Sequence, residues 1–182
     1  MALFAEYEPE RKGWPAPASL LVRAAERADV DALSALRVER GDATPEEARV
    51  WFARRIARSR EGDALLVAAS VEGTVVGYGN ADHLSPGSAP QGWYLGGVVV
   101  APKWRRRGIA SALTRARLAW IAERASRAYY FTNERNLPSI DLHARFGFEE
   151  IDPDVHIPGV TFHGGVGRLY RVELAAPEAA RR

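Results

Sequence analysis

Cysteine is absent from the 182-residue sequence. Without a thiol the chain can form no disulfide, no thiolate metal site and no cysteine-linked covalent intermediate. Lysine occurs only at Lys12 and Lys103, so arginine carries nearly all of the positive charge. No apolar run approaches the ~20 residues that a membrane helix needs, and the glutamates near the N-terminus are untypical of a signal peptide. We therefore expect a cytoplasmic protein without a membrane partner.

The overall charge is small and its distribution is informative. The formal net charge is +2 and the hydrophobic share is 47%, which is ordinary for a globular protein. Positive charge is concentrated only at Arg105–Arg107, and no aromatic platform alternates with these arginines. A nucleic-acid partner is therefore not expected, because such proteins usually carry a basic stripe or stacking aromatics.

The pattern of helices and strands predicts one α/β (α+β) domain over residues 19–175. The elements follow in the order β, α, α, β, β, β, α, β, α, β, β, which favours a central, mostly antiparallel mixed sheet flanked by helices. Residues 1–18 are interpreted as a flexible arm, ordered only if one of its aromatic residues docks (Phe4, Tyr7 or Trp14). Residues 176–182 are interpreted as a tail.

Four local signals mark element boundaries. Thr44-Pro45-Glu46-Glu47 has the residues of a capping box with proline at the first helical position. Asp29 is predicted to cap a helix. Glu72-Gly73 predicts a two-residue hairpin turn, and Gly147 is expected to end a short helix.

One segment combines a strand, a basic turn and the start of a helix. Val98–Val100 is a β-branched run that stops before Pro102, and Arg105–Arg107 precede Gly108-Ile109-Ala110. A turn into a helix N-terminus presents unsatisfied backbone N–H groups to anions, and the helix dipole adds to this preference. The segment therefore favours diphosphate binding, the alternative being an ordinary turn with solvated arginines.

A second motif, downstream, supports an assignment to a family. The spacing Arg-x-x-Gly-x-Ala resembles the acyl-CoA signature of the GCN5-related N-acetyltransferases, Gln/Arg-x-x-Gly-x-Gly/Ala. The segment Asn136–Phe148 resembles the same family's Asn-x-x-Ala/Ser-x-x-Leu-Tyr-x-x-x-Gly-Phe. The resemblance covers roughly residues 19–175 and implies the family's mixed sheet, with acetyl-CoA as co-substrate and no metal. A homodimer is possible on family habit alone.

The resemblance also implies which residues hold the cofactor. The strand would lend backbone groups to the pantetheine arm, and an amide at Val99 or Val100 could serve as the oxyanion donor. The turn and the helix start would hold the pyrophosphate, and Asn136 and Ser139 would contact the cofactor near His143. The cofactor-binding residues expected are Val98, Val99, Val100, Arg105, Arg106, Arg107, Gly108, Ile109, Ala110, Ser111, Asn136, Ser139 and His143.

The chain departs from the family at two catalytic positions. His143 stands where the family has a tyrosine that protonates the departing thiolate; histidine can donate a proton nearer neutral pH, or it can simply pack on the cofactor. Tyr94 stands where many members have a glutamate base, and a neutral phenol is a poor base. Two alternatives remain open for the amine: it loses its proton through water to Asp82, His83 or Glu134, or it attacks in its neutral form.

The expected activity is direct transfer of an acetyl group from acetyl-CoA to the primary amine of a small molecule, antibiotic-like or amino-acid-like. Two alternatives stay open: a protein or peptide N-terminal acetyltransferase, and a non-catalytic acyl-CoA-binding domain. By family resemblance the acceptor would contact the first two helices and the last hairpin, near Trp51, Phe52, Trp93, Tyr94 and the 152–165 loop. His156 and His163 lack a third ligand for a metal site.

Overall fold

A computed structural model describes residues 4–10, 13–41 and 43–175. The order of its helices and strands confirms the predicted order. The elements are β1 Leu20–Ala24, a 3-10 turn Arg27–Asp29, α1 Val30–Arg40, α2 Pro45–Glu61, β2 Ala64–Val71, β3 Thr74–Leu84, β4 Gly92–Val100, a 3-10 turn Pro102–Trp104, α3 Ile109–Ala122, β5 Arg127–Asn133, α4 Leu137–Ala144, β6 Glu149–Asp152 and β7 Gly167–Glu173.

The strands form one sheet in the order β1-β2-β3-β4-β5-β7-β6. Neighbours are antiparallel in the pairs β1–β2, β2–β3, β5–β7 and β7–β6. β4 pairs with β5 in parallel, with Tyr94 opposite Tyr129. The predicted mixed and mostly antiparallel sheet is therefore confirmed.

Contacts divide the chain into two compact units. The N-terminal unit comprises Lys12–Asp82 and Gly96–Arg117, and the C-terminal unit comprises Met1–Arg11, His83–Leu95 and Leu118–Arg182. The strands β3 and β4 and the helix α3 contribute residues to both units.

The core of the N-terminal unit forms where α2 packs on the sheet. Ala48, Phe52 and Ile56, spaced four residues apart, form the buried stripe of α2. The Phe52 ring packs edge-on against Tyr78 at 5.0 Å between centroids. β2 is buried along its whole length, as expected for a strand covered on both faces.

The core of the C-terminal unit is largely aromatic. Tyr94 stacks on Tyr129 at 5.2 Å between centroids, and Val155, Ile157 and Leu169 complete the cluster. The long segment before β7 is tied down by a hydrogen bond from the Val155 amide to the Gly167 carbonyl, at 2.8 Å.

Two boundary predictions are confirmed. Thr44 Oγ1 accepts from the Glu47 amide at 3.3 Å, and Glu47 Oε2 accepts from the Thr44 amide at 2.8 Å, which is the predicted capping box. Glu72 and Gly73 have φ angles of 51° and 78°, the positive values of a two-residue hairpin turn.

Two other boundary predictions need correction. Asp29 occupies the N-cap position of α1, but its side chain makes no capping bond there. Its carboxylate instead accepts two hydrogen bonds from Arg23, at 2.6 and 2.8 Å, and one from the Glu26 amide. The short helix expected to end at Gly147, α4, stops at Ala144 with Arg145 as its C-cap, and Gly147 follows with a φ of 81°.

No helix in the described ranges combines the length and the apolar character needed to cross a bilayer. The predicted tail, 176–182, lies outside the described residues, as do residues 1–3, 11 and 12 of the predicted arm.

Candidate active site

The basic turn between β4 and α3 has an irregular backbone. Pro102–Trp104 form a short 3-10 turn, after which Arg105 is extended, with φ −64° and ψ 158°. Arg106 and Gly108 both have positive φ, 62° and 72°. The Arg105 Nε donates a hydrogen bond to the Val100 carbonyl at 3.2 Å, so this arginine connects the turn to the end of β4.

The turn has the features of an anion site. A left-handed residue followed by a helix start, as at Gly108 and Ile109, brings successive backbone N–H groups toward one point. Two buried side-chain donors, Trp104 Nε1 and Arg107 Nε, have no hydrogen-bond partner within the described ranges. Buried donors are normally satisfied, so the residues present fit a ligand rich in acceptor oxygens, such as a diphosphate.

The backbone direction of β4 distinguishes the three valines. The Ala101 amide donates to the Val76 carbonyl of β3 at 2.9 Å. Backbone groups alternate sides along a strand, so Val99 also faces β3, whereas the N–H groups of Val98 and Val100 face the other edge. Of the two oxyanion donors considered from sequence, the geometry therefore favours Val100 over Val99.

A buried arginine that was not predicted from the sequence lies beside β4. Arg117 is fully buried and donates to the carbonyl oxygens of Asn80, Gly96 and Leu113 and to Thr114 Oγ1, at 2.9–3.2 Å. Burial lowers the pKa of Arg117 to about 9. The signal was present in the sequence, because residue 117 falls on the apolar stripe that Leu113 and Ile121 define in α3.

Asp82 is bound by two arginines and an amide. Its carboxylate forms an ion pair with Arg55 and accepts from Arg58 Nη1 at 3.3 Å and Asn80 Nδ2 at 3.1 Å. The Asp82 residue is only 7% exposed. These contacts tie the end of β3 to α2.

Tyr94, which stands where many members of the resembled family have a glutamate, is held in its neutral form. Its hydroxyl donates to the Pro90 carbonyl at 2.6 Å. Burial, with a smaller contribution from Tyr129, raises the pKa of Tyr94 to about 12. The phenol is therefore neutral at physiological pH, as the sequence led us to expect.

Glu134 follows β5 and is more accessible than Asp82 or Tyr94. Its carboxylate pairs with Arg168 at 3.4 Å, and the side chain is 32% exposed. Glu134 Oε1 also accepts from the Val166 amide at 3.4 Å. His83, the fourth residue considered, packs edge-on against Trp93 at 5.4 Å between ring centroids.

The motif helix α4 begins at the expected place. Asn136 occupies its N-cap position, and the Asn136 Nδ2 donates to Thr132 Oγ1 at 3.0 Å. Ser139 lies one turn before His143, and its carbonyl accepts from His143 Nδ1 at 2.8 Å. Nδ1 must carry the hydrogen, because a carbonyl oxygen can only accept.

His143 lies within an aromatic cluster and is only 2% exposed. Its ring stacks on Tyr130 at 4.0 Å between centroids and meets Phe148 edge-on at 5.4 Å. With Nδ1 protonated, the neutral ring has its lone pair at Nε2. His143 can therefore donate a proton at Nε2 only after that nitrogen has first acquired one.

A cleft of about 720 Å³ lies along one face of α2. Trp51 is one of its lining residues, with the guanidinium carbons of Arg37 and Arg55 at 4.5 and 4.4 Å from the ring centroid. The cleft is lined by both signs of charge, from Glu46, Glu47, Arg54, Arg55 and Arg58, together with Thr44, Val50 and Trp51. Phe52, the other aromatic residue considered for the acceptor, belongs to the core.

The predicted site residues divide between the two units. The N-terminal unit holds Asp82, Val98–Val100 and Arg105–Ser111. The C-terminal unit holds Tyr94, Glu134, Asn136, Ser139 and His143. Among the described residues, no group of three or more histidine or acidic side chains is arranged to hold a metal ion.

Comparison with known proteins identifies the family. The model of the Acetyltransferase (GNAT) family matches residues 20–148, which is more than half of the chain. No curated protein matches the chain.

Solved structures agree in fold. An N-acetyltransferase from Staphylococcus aureus Mu50 aligns with a TM-score of 0.68 at 19% identity, covering 87% of this chain and 100% of that one. The yncA protein of Salmonella typhimurium, solved with its cofactor acetyl-CoA, aligns with a TM-score of 0.66 at 18% identity, covering 88% and 96%. A ribosomal-protein-alanine N-acetyltransferase from Brucella melitensis aligns with a TM-score of 0.68 at 25% identity, covering 85% and 99%.

Proposed function

The chain belongs to the Acetyltransferase (GNAT) family and is an acetyl-CoA-dependent acetyltransferase; on that premise we propose that its acceptor is the primary amine of a small, amino-acid-like molecule. The observation that carries this acceptor class is the mixed-charge cleft around Trp51.

The turn at Arg105–Ser111 supplies what a diphosphate requires. The Gly108 backbone leaves the N-terminus of α3 accessible, and arginine provides charge-assisted donors for phosphate oxygens. The unpartnered donors of Trp104 and Arg107 support the same assignment. Val98 and Val100, whose N–H groups face away from β3, are suited to bind the pantetheine arm.

Acetyl transfer needs a donor to the thioester oxygen and a proton for the departing sulfur. The Val100 amide is suited to the first role, because negative charge develops on that oxygen as the amine attacks. His143 is assigned the second role: Nε2 first takes a proton from water and then gives it to the departing sulfur, while the Ser139 carbonyl fixes the ring through Nδ1.

The acceptor amine must lose a proton. Of the residues considered as bases, Tyr94 is held neutral and Asp82 is engaged by two arginines, Arg55 and Arg58. Glu134 pairs with one arginine and keeps access to water, so we assign it the proton, relayed through water, in preference to His83, which packs on Trp93.

The cleft on α2 suits a small zwitterion. Its volume of about 720 Å³ is within the range of small-molecule sites, roughly 300–1,000 Å³. Arginine can bind a carboxylate in a bidentate manner, and the glutamates of the same cleft can face an ammonium group. Val50 and Trp51 supply the apolar part of the lining for the carbon skeleton.

A thioester-consumption assay across an amine panel tests the acceptor class. The panel contains free amino acids, the matching decarboxylated amines, and peptides that begin with alanine. We expect the amino acids to be the best substrates, and Arg54→Ala to raise their KM without changing the KM of the decarboxylated amines.

The matched control is Arg49→Ala, because Arg49 also lies on α2 but pairs with Asp31 at 2.9 Å. Preference for the peptides would overturn the small-molecule assignment in favour of a protein N-terminus. Tight binding of acetyl-CoA without turnover of any amine would instead point to a non-catalytic acyl-CoA-binding domain.

A further inference from the structure

The segment preceding β1 lies against the basic turn of the N-terminal unit. The Trp14 amide donates a hydrogen bond to the Arg106 carbonyl at 2.8 Å. The approach is close, since a Cβ at Gly13 would lie 2.7 Å from the same carbonyl oxygen. Ala16 lies near the other end of the turn, 3.8 Å from where a Cβ of Gly108 would be. Residues 13–16, which we call the arm segment, therefore cover the turn from Arg106 to Gly108.

The arm segment places an exposed indole at this turn. The Trp14 residue is 61% exposed although its backbone is fixed by hydrogen bonding. The Arg107 guanidinium carbon lies 5.9 Å from the Trp14 ring centroid and 5.3 Å from that of Trp104. The turn thus carries a guanidinium between two indoles, one half-buried and one largely open to solvent.

This arrangement differs from ordinary core packing. The half-buried Trp104 packs against the hydrophobic core, whereas most of the Trp14 surface is exposed. Two donors of the same group, Trp104 Nε1 and Arg107 Nε, have no partner within the described ranges. An open indole beside unsatisfied donors suits a ligand that joins a planar base to phosphate groups.

We propose that the arm segment is part of the cofactor site and that Trp14 stacks on the adenine base of acetyl-CoA. The inference rests on the proposed cofactor role of the Arg105–Ser111 turn and extends the site beyond residues 20–148, the part of the chain that the family model matches. Gly13 permits the close approach of the arm, and Arg107 orients the indole from one side.

The test compares acetyl-CoA with S-acetyl-4′-phosphopantetheine, a thioester that keeps a phosphate for the turn but has no adenosine. Loss of one base-stacking contact should raise the dissociation constant of Trp14→Ala for acetyl-CoA about tenfold or more. The dissociation constant for S-acetyl-4′-phosphopantetheine should stay at the wild-type value. Trp14→Phe, which keeps a stacking ring, should recover most of the affinity for acetyl-CoA.

The matched control is Trp120→Ala, because Trp120 also carries a stacked guanidinium, that of Arg124, but lies in the C-terminal unit. We expect this control to bind acetyl-CoA as the wild type does. Gly13→Val, which displaces the arm while retaining Trp14, should produce the same nucleotide-selective loss as Trp14→Ala.

Three results would overturn the proposal: unchanged affinity for acetyl-CoA in Trp14→Ala, equal losses for both thioesters, or tighter binding in Trp14→Ala. Equal losses would mean that the arm only supports the turn, and tighter binding would mean that it covers the site. Failure of the wild-type protein to bind acetyl-CoA at all would instead refute the cofactor role on which the proposal rests.

Discussion

The buried guanidinium of Arg117 donates a hydrogen bond from Nη1 to the carbonyl oxygen of Gly96, at 3.0 Å. The same nitrogen reaches the Asn80 carbonyl at 3.2 Å, so a single side chain of α3 connects β3 and β4. Within the described ranges no carboxylate lies at ion-pair distance from this guanidinium, and its charge is compensated by neutral dipoles. Since burial lowers the pKa of Arg117 to about 9, holding the ion here has a cost that the hydrogen bonds offset.

Arg117→Ala should destabilise the protein strongly. The substitution removes buried packing and leaves the carbonyls of Asn80 and Gly96 without this donor, a combined loss of roughly 3 kcal/mol or more in the free energy of unfolding. Urea denaturation measures the effect, with Arg115→Ala, an exposed arginine two positions earlier, as the control. Similar unfolding midpoints for the two variants would contradict the structural role of Arg117.

Asp82→Asn should lower the free energy of unfolding rather than the rate of acetyl transfer. The change leaves Arg55 and Arg58 beside a neutral amide, and breaking a buried ion pair costs about 3–5 kcal/mol, although the half-exposed Arg58 reduces this figure. Thermal unfolding of Asp82→Asn and Arg55→Met should show similar losses. If Asp82 were instead the general base, the variant would keep its stability and lose about 10²–10⁴-fold in kcat.

Replacement of His143 tests its proposed proton transfer. We expect His143→Ala and His143→Gln to lower kcat by about 10²-fold or more and to raise the KM for acetyl-CoA less. Phe148→Leu is the control, because it disturbs the same aromatic cluster without removing a titratable group. An unchanged kcat in His143→Gln, or an equal fall in Phe148→Leu, would remove His143 from the mechanism.

Gly108→Asp should abolish acetyl-CoA binding. The substitution adds a negative charge at the proposed diphosphate site and forces an L-residue to adopt a φ of 72°. Gly159→Asp is matched in chemistry, since Gly159 also has a positive φ, 77°, with open space around it, but it lies in a loop of the C-terminal unit. Calorimetric titration should show binding in the Gly159 variant and none in the Gly108 variant. Unimpaired binding in Gly108→Asp would refute the placement of the diphosphate.

The buried tyrosines should make the free energy of unfolding fall at alkaline pH. Burial raises the pKa of Tyr94 and of Tyr170 to about 12 from the ordinary value of 10. Between these values the folded chain binds more protons than the unfolded chain, so the free energy of unfolding falls as pH rises, by at most about 1.4 kcal/mol per pH unit for each tyrosine. Tyr94→Phe should make this decline shallower above pH 10, measured by urea denaturation at a series of pH values. Parallel curves for variant and wild type would contradict the shift.

Arg117 should have the opposite effect on the free energy of unfolding, over part of the same alkaline pH range. Its pKa is about 9 in the folded state, below the ordinary value of 12.5, so the unfolded chain binds more protons between these values. Its contribution to the free energy of unfolding therefore rises with pH. The observed alkaline slope is the sum of the two effects, and Tyr94→Phe isolates the tyrosine part.

Features encoded by neighbouring residues were readable from the sequence. The capping box at Thr44, the hairpin turn at Glu72 and Gly73, and the turn before Ile109 depend on backbone conformation within a few residues, which side-chain type governs. The Arg-x-x-Gly-x-Ala spacing identified the family for the same reason. The capping rule failed at Asp29 because the Asp29 carboxylate, which the rule assigns to the helix N-terminus, is bound by Arg23 of β1.

The sequence by itself thus determined the element order, the family and the position of the basic turn before α3, because these follow from short-range patterns. Only the tertiary structure decided that Arg117 is a buried brace, that Asp82 is occupied by two arginines, and that Trp14 lies on the turn. Each of these depends on contacts between residues distant in sequence, such as the 37 positions between Arg117 and Asn80. Burial and partner geometry at such contacts set the charge and the hydrogen-bonding capacity of a side chain, and no local pattern encodes them.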